Sequence, residues 1–498
     1  MTTIEHWING KASSGASTRT APVWNPATGQ RQAEVLLAEP SDVDSAVDSA
    51  AKAFESWRNS SLTQRMRVMF TLRRLLERHE LDLAKIISSE HGKVIDDARG
   101  EIVRGREVVE YACGIAEVLK GSFSDQVSRD VDVHSFRQPI GVCAGITPFN
   151  FPIMVPLWMH PMAIATGNTF VLKPSERDPS ASNFVAELYA EAGLPDGVFN
   201  VVHGDKVAVD AILAHPDIAA VSFVGSTPIA RHVHAGATAT GKRVQALGGA
   251  KNHAVVMPDA DLEFTANHLT AAAYGSAGER CMAISVAVAV GSAGDELVQV
   301  LRGKALDVKV GPGDDPSSDM GPLVTEQAKE RVTGYVGSGA EQGADVVVDG
   351  RGLSVDGYEE GFFVGPSLLD HVTTGMDVYR DEIFGPVLAV VRVGSLQEAI
   401  ELVNRNPYGN GAAIFTSDGE SARRFQREVS IGMVGVNVPI PVPMAFYSFG
   451  GWKDSLVGDS PIHGPEGMRF YTKAKVVTTR WPHVTHPVAS HFSFPTSI

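Results

Sequence analysis

Cysteine is scarce: the chain of 498 residues has three, Cys113, Cys143 and Cys281. Three cysteines cannot build a disulfide framework, so a packed core must hold the fold, and a reducing, cytoplasmic setting is expected. Long apolar runs are missing as well. The most apolar stretch, Phe151 to Ala165, is broken by Pro152, Pro156, His160 and Pro161, which excludes a bilayer span. Met1-Thr2-Thr3-Ile4-Glu5-His6 has no basic segment leading into an apolar one, so no signal peptide is expected. Positive charge is in deficit, with a net charge of −15 and no basic tract, and this argues against a nucleic-acid partner. A few local arginines can still hold a small anionic ligand. There is no internal repeat, no low-complexity segment and no Gly-x-Gly-x-x-Gly after a strand.

The length allows two or three domains. Trp7-Ile8-Asn9-Gly10 reads as a hairpin with an Asn-Gly turn. Ser41-Asp42-Val43-Asp44 reads as a capping box opening a helix through about Trp57. Helical stretches follow near Leu62–Glu90 and Val94–Leu119. From 138 to 250, short apolar runs alternate with helix-length segments. The strands are expected at Ile140–Ile146, Thr169–Leu172, Val198–Val202, Ala219–Val224 and Arg243–Leu247. The helices between them are expected at Ser180–Ala192, Val207–His215 and Pro228–Thr240. This pattern predicts a parallel, doubly wound sheet, which binds nucleotides at the carboxyl ends of its strands.

A second α/β unit is expected from about Lys251 to Phe446. It opens with the strand His253–Met257 and a helix capped near Asp259 or Asp261. Gly275 and Gly278 break that helix before Cys281, placing the cysteine at an irregular junction where side chains can face a cleft. Later elements are expected at Gly385–Val393, Ser395–Val403 and Gly411–Phe415. Val131–Phe136 and Phe470–Trp481 alternate apolar and polar residues apart from either core. They suggest a projecting sheet that a partner subunit covers.

Four motifs carry the chemistry. They are Pro148-Phe149-Asn150-Phe151-Pro152, Ala246-Leu247-Gly248-Gly249-Ala250-Lys251-Asn252-His253, Ser276-Ala277-Gly278-Glu279-Arg280-Cys281 and Glu382-Ile383-Phe384-Gly385-Pro386. Together they resemble the aldehyde dehydrogenase superfamily, from about Ile8 to Trp481. The resemblance implies an α/β fold: a Rossmann-type NAD-binding domain, an α/β catalytic domain and a small projecting oligomerisation sheet. It places the NAD-binding domain at 1–120 and 138–250 and the catalytic domain at 251–446. Residues 121–137 and 466–498 form the oligomerisation segment, and 447–465 return to the NAD-binding domain.

The resemblance also implies roles for individual residues. Cys281 is the nucleophile, and the side-chain amide of Asn150 is the oxyanion donor. Thr147, Phe149, Lys173, Glu176, Arg177, Ser226, Gly248 and Glu382 contact NAD. Lys173 and Glu176 take the adenosine ribose, where a glutamate disfavours the 2′-phosphate of NADP. Glu382 takes the nicotinamide ribose. Phe223-Val224-Gly225-Ser226-Thr227 packs on the pyrophosphate at a helix N-terminus, although Ala230 stands where the superfamily usually has glycine. Arg104 and Arg280 suit a substrate carboxylate. Arg104 lies on a helical face with Val108, Tyr111 and Ile115, and a plain salt bridge to Glu101 or Glu107 is the competing reading. No metal is implied.

Leu247 departs from the superfamily pattern. A glutamate usually stands there and activates the water that hydrolyses the acyl-enzyme thioester. Leucine cannot accept a proton, so transfer of the acyl group to a thiol such as CoA is expected instead. The motifs are most similar to the CoA-acylating branch acting on methylmalonate and malonate semialdehyde, which implies a homotetramer, a dimer of dimers. Valine and inositol breakdown both remain open as its setting. The alternatives are a hydrolytic NAD-dependent semialdehyde dehydrogenase using another base, and an inactive NAD-binding or structural relative. The intact Cys281, Asn150 and Glu382 disfavour the inactive relative.

Overall fold

The computed structural model describes residues 2–481. The expected segment 466–498 therefore extends outside the described residues beyond Trp481. An eight-stranded sheet runs, edge to edge, Leu456–Val457, Arg243–Leu247, Ile218–Val224, Val142–Ile146, Thr169–Lys173, Phe199–Val201, His6–Ile8 and Lys11–Ser13. The five strands between 142 and 247 are mutually parallel. The pieces added at each edge are antiparallel. Side chains alternate between two packed faces, as strand geometry requires. Val142, Ala144 and Ile146 enter one apolar cluster, and Cys143 enters another.

Strand order sets the position of the cleft. The chain steps from Val142–Ile146 outward through two strands, then returns to the other side of Val142–Ile146 with Ile218–Val224. Connections after these two neighbours leave in opposite directions, so a crevice opens at their carboxyl ends.

A second sheet of seven strands runs Asp345–Val348, Ser367–Asp370, Val387–Val393, Ile284–Val290, Asn252–Val256, Gly411–Phe415 and Met433–Val436. It has its own buried cluster. A third sheet pairs Phe123–Ser128 with Val131–Pro139, and Val131–Pro139 with Thr472–Arg480. The two alternating segments thus pair with each other. Phe123, Val476 and Trp481 stay exposed.

Some local expectations shift. The Asn-Gly hairpin forms, with Asn9 and Gly10 both at positive φ. The first long helix begins earlier than Ser41 and spans Pro40–Trp57. Its capping box joins Glu39 and Asp42, because Pro40 has the helical φ and needs no N–H donor in the first turn. The stretch Leu62–Glu90 is two helices, Leu62–Arg78 and Glu80–His91, meeting at His79. Among the described residues no helix is long and apolar enough to cross a membrane.

Candidate active site

Val142–Ile146 runs out into the turn carrying Phe149 and Asn150. Asn150 is buried, and its Nδ2 donates to the Glu279 carbonyl at 2.9 Å. That bond ties the turn to the loop that delivers the cysteine. Gly275–Gly278 follows the helix Leu262–Tyr274, and Ser276, Ala277 and Gly278 all have positive φ. Two successive non-glycine residues in the left-handed region are strained backbone, held here by their surroundings. A Cβ on Gly278 would come within 2.1 Å of the Gly385 carbonyl oxygen, so only glycine fits against Phe384-Gly385-Pro386.

Cys281 emerges from this turn, half-buried at the bottom of the cleft. Its carbonyl accepts hydrogen bonds from Asn252 Nδ2 at 2.9 Å and Asn410 Nδ2 at 3.1 Å. Burial, and secondarily the nearby Glu382 carboxylate, push the thiol up to about 12. The backbone N–H groups of Cys281 and Met282, and then Arg280, pull the other way. The resting nucleophile is therefore a thiol.

The crevice between the two strand ends is a cavity of about 260 Å³. Phe149 and Asn150, Ser226, Gly248 and Arg177 line it from the eight-stranded sheet, and Cys281 and Glu382 from the other unit. Seven of the expected site residues thus share one cavity. Ser226 is exposed at the N-terminus of the helix Thr227–Ala239, and its side chain makes no capping bond there. That leaves first-turn N–H groups and the positive end of the helix facing the cavity, a setting suited to pyrophosphate. Thr227 Oγ1 accepts from the Gly249 N–H at 2.9 Å and holds the neighbouring loop. Glu382 accepts from the Ala250 N–H at 2.8 Å, and burial raises its carboxyl above the ordinary range.

The other expected residues lie around this cavity. Thr147 is buried beneath the turn. Lys173 donates to the Gly204 carbonyl at 2.7 Å and stands 3.4 Å from Glu176, at the carboxyl end of the adjacent strand. Arg177 lies over the Phe149 ring, 4.9 Å from its centroid. Arg104 pairs with Glu107 at 2.6 Å and donates to the Pro443 carbonyl at 2.8 Å. Glu101 takes no part in that pair; it bonds Lys93 instead. Arg280 pairs with Asp97 at 2.6 Å and faces a neighbouring cavity of about 410 Å³. Asp97 and Arg104 are seven residues apart on the helix Ile95–Cys113 and so share one face, about 10 Å apart along its axis.

Leu247 ends its strand opposite Val224 and Leu456. It is buried in the same apolar cluster that Cys281 packs against. Glu279 is also buried, and burial raises its carboxyl to about 8, so it keeps its proton at neutral pH. His91 stands 3.9 Å from it, and burial holds that ring well below its usual value, hence neutral.

Sequence reasoning assigned no role to Arg331, Asn410 or Lys93. Arg331 lines the cavity from the helix Glu326–Glu341. Nothing in its local sequence separates it from an ordinary surface arginine.

The sequence pattern of the aldehyde dehydrogenase family matches residues 13–477. A malonate-semialdehyde dehydrogenase of Pseudomonas aeruginosa is 57% identical over 99% of this chain and 100% of its own length. A methylmalonate-semialdehyde dehydrogenase structure from Oceanimonas doudoroffii superposes with a TM-score of 0.96 at 56% identity, covering 97% of this chain and 99% of that one. A Sinorhizobium meliloti structure assigned as a methylmalonate-semialdehyde dehydrogenase, solved with NAD, gives a TM-score of 0.96 at 53% identity over 98% and 99% of the two chains. With two sheets meeting at a cysteine-bearing cleft and this likeness along its whole length, the chain belongs to the aldehyde dehydrogenase family.

Proposed function

We propose that this chain is an NAD-dependent, CoA-acylating dehydrogenase of methylmalonate and malonate semialdehyde. The observation that carries the reading is Leu247: an apolar side chain, buried in the cluster that the nucleophile packs against, where a hydrolytic enzyme needs a base. The substrates of the similar proteins point the same way. The cavity fits NAD: its position is the switch point of a doubly wound sheet, and Ser226, Gly248 and Glu382 surround it. NAD supplies the hydride acceptor. Glu176, beside Lys173, favours it over NADP.

Cys281 gives its proton to solvent water and adds as thiolate to the aldehyde carbon, forming a thiohemiacetal. The Asn150 amide and the Cys281 N–H hold the oxyanion. Asn150 must then leave the Glu279 carbonyl or share its N–H groups, and its amide has a second hydrogen for this. Loss of hydride leaves a thioester on Cys281. A carboxylate β to that carbonyl departs as carbon dioxide, because the electron pair left behind is an enolate. The enolate carbon is then protonated, and CoA thiol takes the acyl group. The products are propionyl-CoA and acetyl-CoA. Arg280 and Arg104 hold the substrate carboxylate; both are engaged by acids in the resting protein, so the substrate competes with Asp97 and Glu107. The exposed three-stranded sheet is the proposed tetramer contact.

Stopped-flow NADH formation tests the reading. Without CoA a burst near one equivalent per site should precede slow turnover, and CoA should restore speed. Equal steady rates without CoA, with free acid released, would overturn it.

A further inference from the structure

The turn that presents Asn150 is gripped from below by a buried ion pair. Lys93 Nζ and Glu101 Oε2 are 2.7 Å apart, and both side chains are fully enclosed. Lys93 Nζ also donates to the carbonyl oxygen of Asn150 at 2.7 Å. It lies over the Phe151 ring, 4.5 Å from the centroid. The second carboxylate oxygen of Glu101 accepts from the backbone N–H groups of Ile153 at 2.8 Å and Met154 at 3.1 Å. One pair of charges therefore contacts four of the five residues 150–154.

Part of this arrangement closes a helix end: Ile153 and Met154, the N-cap and first residues of the helix Met154–Ala165, donate to Glu101. The helix Met154–Ala165 has no side-chain cap of its own residues, and Glu101 reaches it from the helix Ile95–Cys113. Lys93 comes from the loop just before that helix. Enclosing two charges carries a large desolvation penalty, which an apolar pair of the same size would avoid. What the charges add is direction: the Lys93 bond acts on the backbone carbonyl of Asn150, and the Glu101 bonds act on the start of the helix that follows the turn. A donor for a developing oxyanion works only when it is held at the right distance before the charge appears.

We infer that Lys93 and Glu101 are positioning residues that set the Asn150 amide for oxyanion stabilisation. The inference rests on the reading of Asn150 as the oxyanion donor. Asn150 is held at two points. Its side-chain Nδ2 donates to the Glu279 carbonyl, and its backbone carbonyl accepts from Lys93. Loosening the Lys93 anchor lets the turn drift while Lys173, Ser226, Gly248 and Glu382, which stand on other elements, stay in place.

A double-mutant cycle tests this with propionaldehyde, measuring the single-turnover NADH burst rate and the NAD dissociation constant. Asn150→Ala should slow the burst by about 10²–10³-fold. Glu101→Gln should slow it on the order of 10- to 100-fold with the NAD constant unchanged. Glu101→Asp, which keeps the charge, should recover part of the rate, and it takes the place of Glu101→Gln in the cycle if that variant does not fold. Asn150→Ala combined with the Glu101 change should be no slower than Asn150→Ala alone, because both act through one amide. An unaltered burst in Asn150→Ala would refute the oxyanion reading itself. A slow Asn150→Ala with a normal Glu101→Gln would overturn the positioning role alone, as would losses that multiply in the double variant.

Discussion

Arg280 donates to Asp97 at 2.6 Å, so the cation next to the nucleophile is already neutralised before any substrate arrives. The carboxylate partner comes from a helix 183 residues away in sequence. A substrate carboxylate would have to replace Asp97 at the guanidinium, and an aldehyde without a carboxylate would not.

Arg280→Leu should therefore raise KM for malonate semialdehyde by ten- to a hundredfold, the value of a charged hydrogen bond of about 1.5–3 kcal/mol. KM for propionaldehyde should stay within about threefold. Steady-state kinetics on both aldehydes decide it, and equal losses would mark the arginine as structural.

Burial and the Glu382 carboxylate hold the Cys281 thiol high, at about 12. Only the thiolate is alkylated, and its fraction grows with pH until the thiol titrates. The iodoacetamide inactivation rate of the free enzyme should thus still be climbing at about pH 10. A plateau near the ordinary thiol value of about 8.5 would show an activated resting cysteine. Cys281→Ala should remove NADH formation and leave NAD binding intact, as fluorescence titration would show.

Leu247→Glu should lower stability by roughly 1–3 kcal/mol, since it puts a carboxyl into an apolar cluster. It should also raise the CoA-independent turnover by about tenfold or more, through general-base help in deacylation. Urea denaturation and NADH assays without CoA measure the two effects. A stability loss with no gain in hydrolysis would mean the new carboxylate does not reach the thioester.

Glu279 is held protonated up to about pH 8 in the fold, against an ordinary 4.5. Folding binds that proton, so its stabilising effect is complete in acid below the unfolded value and is lost as pH rises through about 8. Going from pH 5 to pH 8, the wild type should lose more unfolding free energy than Glu279→Gln, by an amount on the order of a few kcal/mol. Parallel curves for the two proteins in urea at both pH values would reject this ionisation.

Much of the fold was written in local pattern. Apolar runs alternating with helix-length segments located the five parallel strands between 142 and 247 to within two residues. Asn9-Gly10 specified its hairpin, and Gly275 with Gly278 marked the irregular junction before Cys281. Leucine at 247 removed a base whatever the fold did around it. These signals are legible because period, turn chemistry and side-chain type act within a few residues.

Tertiary structure alone decided which charges meet. Lys93 and Glu101 read as ordinary polar residues, yet both are enclosed beneath Asn150. Arg104 chose Glu107 over Glu101, and Arg280 chose Asp97. Val131–Pro139 found Thr472–Arg480 across the length of the chain. A charge carries no periodicity that names its partner. Its energy depends on burial and distance, and both exist only after the two sheets have closed on one another.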